Sequence, residues 1–139
     1  MSYAEERKNK KYYKFINSIL SIVSIGKDSI VDVGSHGVDI LTNTECRYKV
    51  SVDIAAPAIS PGVQSVKEDF FKYTPDRFFD LVTCFQVLEH IKDAKTFAQK
   101  LLSIGQIIII SVPYNWKKGM CKSHCQDPVD IKKGDVLDN

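Results

Sequence analysis

The sequence predicts an α/β protein that is built on an open parallel sheet. Five short apolar runs of strand length are separated by segments with helical spacing or with glycine and proline. Strands that alternate with helical segments are typical of β-α-β units and a parallel sheet. Residues 107–110 are all isoleucine, as expected of a strand that is buried on both faces. We therefore expect three layers, with helices on both faces of the sheet.

The predicted elements follow from periodicity and from turn residues. Apolar residues recur at helical spacing over residues 12–23, and Gly26 marks the end of this N-terminal helix within residues 1–25. A second helix is expected over residues 38–42 and a third over residues 94–102, which Gly105 ends. The expected strands are residues 29–33, 48–54, 63–67, 79–85 and 106–112.

Composition limits the kind of protein. The 139 residues fit one domain, 1–139, and 44% hydrophobic with 26% charged residues is typical of a soluble globular chain. A net charge of +2 gives no reason to expect nucleic acid as a partner. Residues 1–14 lack the apolar run of a signal peptide, and no stretch approaches the roughly 20 apolar residues of a membrane span. We expect a cytoplasmic protein that does not bind membranes.

The most informative segment is the end of the first strand, I-V-D-V-G-S-H-G at residues 30–37. Ligands of open parallel sheets bind beyond the carboxyl ends of the strands. Gly34 allows a tight turn there, and the amides that follow could bind a carboxylate, as helix N-termini do. Asp32 could accept a hydrogen bond from an ammonium group or a water. The alternative is an ordinary strand-to-helix turn that Asp32 caps.

Two further acids lie at the ends of predicted strands. Asp53 lies about 20 residues after Gly34, where an acid can accept both ribose hydroxyls of an adenosine. Asp69 precedes Phe70 and Phe71, so its carboxylate could bind the adenine amino group while an aromatic ring packs on adenine. The alternative for Asp69 is a helix cap or a turn residue.

Cysteines give little evidence for a metal. Cys84 lies in an apolar strand and is expected to be a buried thiol, and a cytosolic setting disfavours disulfides. Cys121, His124 and Cys125 lie close together in sequence, but no second ligand pair stands at the spacing of a zinc site. We therefore expect a local loop there and no metal site.

Taken together, five segments resemble the class I S-adenosylmethionine-dependent methyltransferases, and most of all their small-molecule branch. The resemblance rests on residues 30–35 (I-V-D-V-G-S), 52–54 (V-D-I), 68–71 (E-D-F-F), 79–91 (F-D-L-V-T-C-F-Q-V-L-E-H-I) and 111–113 (S-V-P). It implies a Rossmann-like sheet in the order 3-2-1-4-5, with S-adenosyl-L-methionine as the cofactor. The cofactor-binding core would span residues 29–113, and residues 114–139 would be an irregular tail.

The resemblance also implies a role for each matching residue. The methionine end of the cofactor would be lined by Asp32, Gly34, Ser35, His36 and Gly37. The ribose and adenine would be held by Asp53, Ile54, Asp69 and Phe70. The methyl-bearing sulfur would face Phe85 and Gln86. Glu89 and His90 would be structural or close to the substrate, with a capping or packing histidine as the alternative for His90, and no residue is identified as catalytic.

The sequence departs from the family in two places. Where the family's loop has its second and third glycines, this chain has His36 and Val38, with Gly37 between them. A nicotinamide-binding loop would need glycines at positions 36 and 39, where His36 and Asp39 stand. Residues 114–139 contain no strand-like apolar run, so we expect the family's C-terminal hairpin to be missing, either in a natural minimal form or in a fragment.

Two functions are compatible with these features. The first is a methyltransferase that acts on a small-molecule or sugar-like acceptor. The second is a truncated binding or assembly module with weak or no catalysis. Without a hairpin, the apolar fifth strand would be an exposed edge, and such edges pair with other chains. We therefore expect a homodimer through the fifth-strand edge or, as the alternative, a C-terminal tail that folds back over this edge with Trp116 as its anchor.

Overall fold

The computed structural model describes residues 2–114, 117 and 119–125, and its centre is a five-stranded sheet in the order β3-β2-β1-β4-β5. Every pairing is parallel, which confirms the predicted fold class and strand order. The strands are β1 (Ser29–Val33), β2 (Tyr48–Asp53), β3 (Val63–Lys67), β4 (Phe79–Phe85) and β5 (Gly105–Ser111). Most of the expected tail, residues 114–139, lies outside the described residues.

Helices surround the sheet in fewer places than the sequence suggested. They are α1 (Tyr3–Lys8), α2 (Lys11–Val23) and α3 (Ala94–Ser103), with a 3-10 turn over Leu88–His90. The expected N-terminal helix is thus two helices, because Ser2 and Glu5 form a capping box that starts a separate α1. No described helix is long and apolar enough to cross a membrane.

The core lies on both faces of the sheet. On one face, Ile16 and Leu20 of α2 pack in a cluster with Ile30 of β1. On the other face, Phe97 and Leu101 of α3 pack in a cluster with strand residues that include Val31 and Val82. Successive strand residues point to opposite faces, so β1 supplies both clusters. The predicted three layers are therefore confirmed.

The expected helix over residues 38–42 is wrong. The carboxylate of Asp39 folds this segment into turns: Oδ1 accepts from the amides of Leu41 at 2.9 Å and Thr42 at 3.1 Å. Its other oxygen accepts from the hydroxyl of Ser60 at 2.7 Å. Aspartate side chains compete with helices in this way by bonding to nearby backbone amides. As a result, no α-helix follows the glycine turn of β1.

Burial of residues 107–110 on both faces was also predicted and is also wrong. In the described part of the chain, β5 pairs with β4 alone, and the side chains of Ile107 and Ile110 are each 37% exposed. A strand with one neighbour leaves backbone groups and side chains open on its other side. The homodimer through this edge remains a prediction.

Candidate cofactor site

A cavity of about 450 Å³ opens at the carboxyl ends of β1, β2 and β4. Its volume is in the range of pockets that bind small organic ligands. Seven residues that the sequence singled out line it: Gly34, His36, Asp53, Ile54, Asp69, Phe70 and Gln86. Segments far apart in sequence meet here because parallel strands end at the same edge of a sheet.

The turn after β1 brings position 34 so close to the segment after β4 that only glycine fits there without a clash. Gly34 has a φ of +83°, and its amide donates to the carbonyl of Val52 at 2.8 Å. A Cβ at this position would lie 2.3 Å from Cγ2 of Val87, which follows β4. The end of β1 therefore packs closely against the segment after β4, and Gly34 and Val87 line the main cavity between these two strand ends.

Asp53 fastens the same loop to the end of β2. Its Oδ2 accepts from the amide of His36 at 2.9 Å, and its Oδ1 accepts from the amides of Ala55 and Ala56, both at 2.8 Å. The amide of Gly37 donates to the carbonyl of Ala56 at 2.6 Å. Two of the amides that were expected to face a ligand carboxylate, those of His36 and Gly37, are thus bonded within the chain.

Asp32 does not reach the main cavity. Its side chain is buried, and its Oδ1 accepts from the hydroxyl of Thr83 at 2.7 Å. Burial raises the pKa of Asp32 to about 7, since a charged carboxylate is costly in an apolar interior. Asp32 lines a separate small void with Ser35 and Phe85. Gly37 lines neither space, so four of the predicted cofactor residues lie away from the main cavity.

Aromatic side chains form the wall beside Asp69. Phe70 is buried, with its ring centroid 4.8 Å from that of Phe97 on α3. Phe71 is 42% exposed and packs edge-on against the same ring. Asp69 turns the chain here by accepting from the amide of Phe71 at 3.0 Å. Phe71 therefore presents the more accessible ring to the cavity, although only Phe70 was assigned to adenine.

A second cavity of about 260 Å³ adjoins the first, and Gln86 and His90 line both. Gln86 takes a left-handed backbone conformation, with a φ of 58°, and its side-chain amide donates to the Ser111 hydroxyl at 3.3 Å. Glu89 lines only the second cavity; it is buried, and burial raises the pKa of its carboxyl. Residues that follow β4 therefore form part of the boundary between the two cavities.

Helix α1 also contributes to this region, although no pattern in the sequence predicted it. Tyr3 lines both cavities, and its ring lies edge-on to that of His36 with centroids 4.8 Å apart. The capping box at Ser2 places this tyrosine in the first turn of α1. The spacing of Ser2 and Glu5 is that of a capping box and could have predicted the start of α1. Nothing in the sequence indicated that this helix would contact the glycine loop.

The comparison with solved structures finds proteins of similar fold. Three similar structures are of the plantazolicin methyltransferase BpumL, in complex with SAH and a monoazolic, a triazolic or a pentazolic desmethylPZN analog. Their TM-scores are 0.56, 0.57 and 0.57, at sequence identities of 12%, 12% and 11%. At this identity the similarity shows that the chain shares the fold of that methyltransferase.

The matched region is part of the neighbour. It covers 76%, 76% and 77% of this chain and 51%, 49% and 50% of the BpumL chain, so this chain spans about half of BpumL's length. No protein-family model and no curated protein matches the sequence.

The contact between Gly34 and Val87 can be tested by replacing two glycines. We expect Gly34→Ala to destabilise the protein by about 1–3 kcal/mol more than Gly62→Ala, because overpacking adds that cost. Gly62 is a matched control: its φ is +77°, and nothing lies within 4 Å of an added Cβ. Both variants carry the backbone penalty of about 1–2 kcal/mol for a left-handed residue. Urea unfolding measures the difference, and equal losses would contradict the close contact.

Proposed function

We propose that the chain binds S-adenosyl-L-methionine and transfers its methyl group to a small-molecule or sugar-like acceptor. The observation that carries this proposal is the main cavity. Three segments meet there: the turn at Gly34 after β1, Asp53 at the end of β2, and Asp69 with Phe70 after β3. These are the three segments from which the sequence predicted methionine, ribose and adenine contacts.

The cavity suits an adenosine at its β2 and β3 side. Asp53 and Asp69 supply carboxylates, and the exposed side chains of Ile54 and Phe71 supply apolar surface for a purine ring. The sulfonium would then lie toward Gln86, at the boundary with the second cavity. An acceptor in the second cavity would approach the methyl group from the side opposite the sulfur, and methyl transfer depends mainly on that alignment.

The solved neighbours support the same proposal. The BpumL structures contain SAH, the product that S-adenosyl-L-methionine leaves after methyl transfer, together with an analog of a desmethyl substrate. This chain shares the fold of about half of that protein. The acceptor of the present chain is proposed from its own second cavity, which has polar side chains such as Glu89, His90 and His124.

A second candidate function is a binding or assembly module with weak or no catalysis. One observation favours it: the carboxylate of Asp53 and the amides of His36 and Gly37 already bond to each other or to Ala56. A cofactor that needed those groups would have to share or replace these bonds. The two candidates differ in whether cofactor binding is measurable, so binding is the property to test.

We expect S-adenosylhomocysteine to bind the chain and NAD not to bind it. The cavity has acids placed for one adenosine, whereas the loop has His36 and Asp39 where a dinucleotide loop has glycines. At a concentration of 100 times its dissociation constant, a ligand adds about 2.7 kcal/mol to the free energy of unfolding. Calorimetric titration and thermal melting measure both ligands. Absence of heat and of any melting shift with S-adenosylhomocysteine would favour the non-catalytic module.

Asp53→Ala should weaken S-adenosylhomocysteine binding by about 1.5–3 kcal/mol, or roughly 10- to 150-fold, because a charge-assisted hydrogen bond to the ribose is lost. The same carboxylate also caps the loop, so the loss has to be separated from a loop defect. Asp39→Ala is the matched control, since Asp39 caps its own loop but does not line the main cavity. Calorimetry on both variants tests this, and equal losses of affinity would contradict ribose binding by Asp53.

A further inference from the structure

Glu89, His90 and His124 form a cluster that the sequence did not predict. One ligand atom from each residue lies within 4.8 Å of the other two. Glu89 and His90 belong to the 3-10 turn after β4, whereas His124 belongs to the segment 119–125 near the C-terminus. The fold therefore brings together donors from two separate parts of the chain.

Backbone contacts hold the segment 119–125 against the 3-10 turn. The amide of Cys125 donates to the carbonyl of Glu89 at 2.7 Å, and Nδ1 of His90 lies 3.0 Å from the carbonyl oxygen of Ser123. The rings of His90 and His124 are edge-on, with centroids 4.9 Å apart. These contacts fix the approach of His124 to the buried acid.

One oxygen of the buried Glu89 carboxylate has no hydrogen-bond partner among the described residues. This oxygen is Oε2, and the Glu89 side chain is 3% exposed. Its Oε1 lies 3.8 Å from Nε2 of His90. A buried carboxylate is costly unless it is paired or coordinates a metal. The unsatisfied oxygen belongs to a residue that lines the second cavity, where the two histidines also lie.

We propose that Glu89, His90 and His124 bind a zinc ion. Two imidazoles and one carboxylate are a donor set of zinc sites that keep a fourth position open. With zinc-ligand distances of about 2.1 Å, tetrahedral ligand atoms are about 3.4 Å apart, so the widest pair has to close by at most roughly 1.4 Å. Rotation of side chains at the surface of a cavity can supply a movement of this size.

The neighbouring thiols have other contacts. Sγ of Cys125 donates to the carbonyl of His90 at 3.3 Å, and Sγ of Cys121 lies 3.2 Å from the hydroxyl of Ser123. The zinc ligands proposed here are therefore nitrogen and oxygen atoms, in contrast to a cysteine-based site in the same segment. The open position would border the second cavity, where it could bind water or an anionic group of a ligand.

Zinc binding is tested on the full chain after treatment with a chelator. We expect calorimetry to show one zinc equivalent bound per chain. Glu89→Gln and His124→Asn should each lower the zinc affinity at least about 10- to 100-fold, since replacing only a hydrogen-bond partner of a metal ligand already costs that much. The double variant Cys121→Ser with Cys125→Ser is the matched control and should bind zinc as the unmodified chain does. Because His124 lies outside both core clusters, its replacement tests the site without disturbing the core.

Cobalt substitution identifies the ligand atoms directly. The proposal predicts the visible absorption of tetrahedral cobalt without the near-ultraviolet band of thiolate ligands. Loss of metal binding in the double cysteine variant, a thiolate band, or unchanged affinity in both ligand variants would overturn it. S-adenosylhomocysteine binding, measured on the same metal-free samples, tests the proposed function separately, so failure of one proposal is distinguishable from failure of the other.

Discussion

The close approach of Gly34 to Val87 is the constraint on which the rest of the site depends. It joins the turn after β1 to the segment after β4, and a side chain at position 34 would occupy the space of the valine. The amide of Gly34 also donates a hydrogen bond to the carbonyl of Val52 on β2. Three strand ends are thereby held at fixed separations. Gly34 lines both the main cavity and the second cavity, and Val87 lines the main cavity.

Asp32 and Asp53 differ in their surroundings, since Asp32 is buried away from the main cavity and Asp53 lines it. Asp32 is buried and joins β1 to β4 by accepting from the hydroxyl of Thr83, and burial raises its pKa to about 7. Asp53 accepts three backbone amides and still lines the cavity. A carboxylate has about four lone-pair sites, so Asp53 can hold the loop and retain capacity for one further donor. In the proposed function the same acid would order the loop and bind the ribose.

The strands could be predicted closely because their pattern is physically simple. β1, β3 and β4 have the expected bounds, β2 differs by one residue at its C-terminal end, and β5 differs by one residue at each end. Apolar runs that end at a glycine, an acid or a proline leave few alternatives. The residues 38–42 show the opposite case, since their apolar side chains are buried as a helix would bury them, while Asp39 bonds to the backbone and forms turns. A side-chain bond of that kind depends on tertiary surroundings that sequence spacing does not contain.

The candidate site was predictable where residues follow strands and unpredictable where distant segments meet. Gly34, Asp53 and Asp69 could be predicted from the sequence, since each lies at or just beyond the end of a strand of a parallel sheet. Sequence spacing grouped His124 with the cysteines beside it, whereas the fold places it against Glu89 and His90. Tyr3 reached the cavities through a helix that no periodicity indicated.

The central claim is that the main cavity is where an adenosine-containing cofactor binds. The most direct measurement is a titration of the ¹⁵N-labelled chain with S-adenosylhomocysteine, followed by amide chemical shifts. The account predicts the largest shifts at Gly34, Ile54 and Phe71, which line the cavity, and unchanged amides around Leu102 on the exposed side of α3. Shifts confined to residues outside the cavity, or no shifts in excess ligand, would contradict the account.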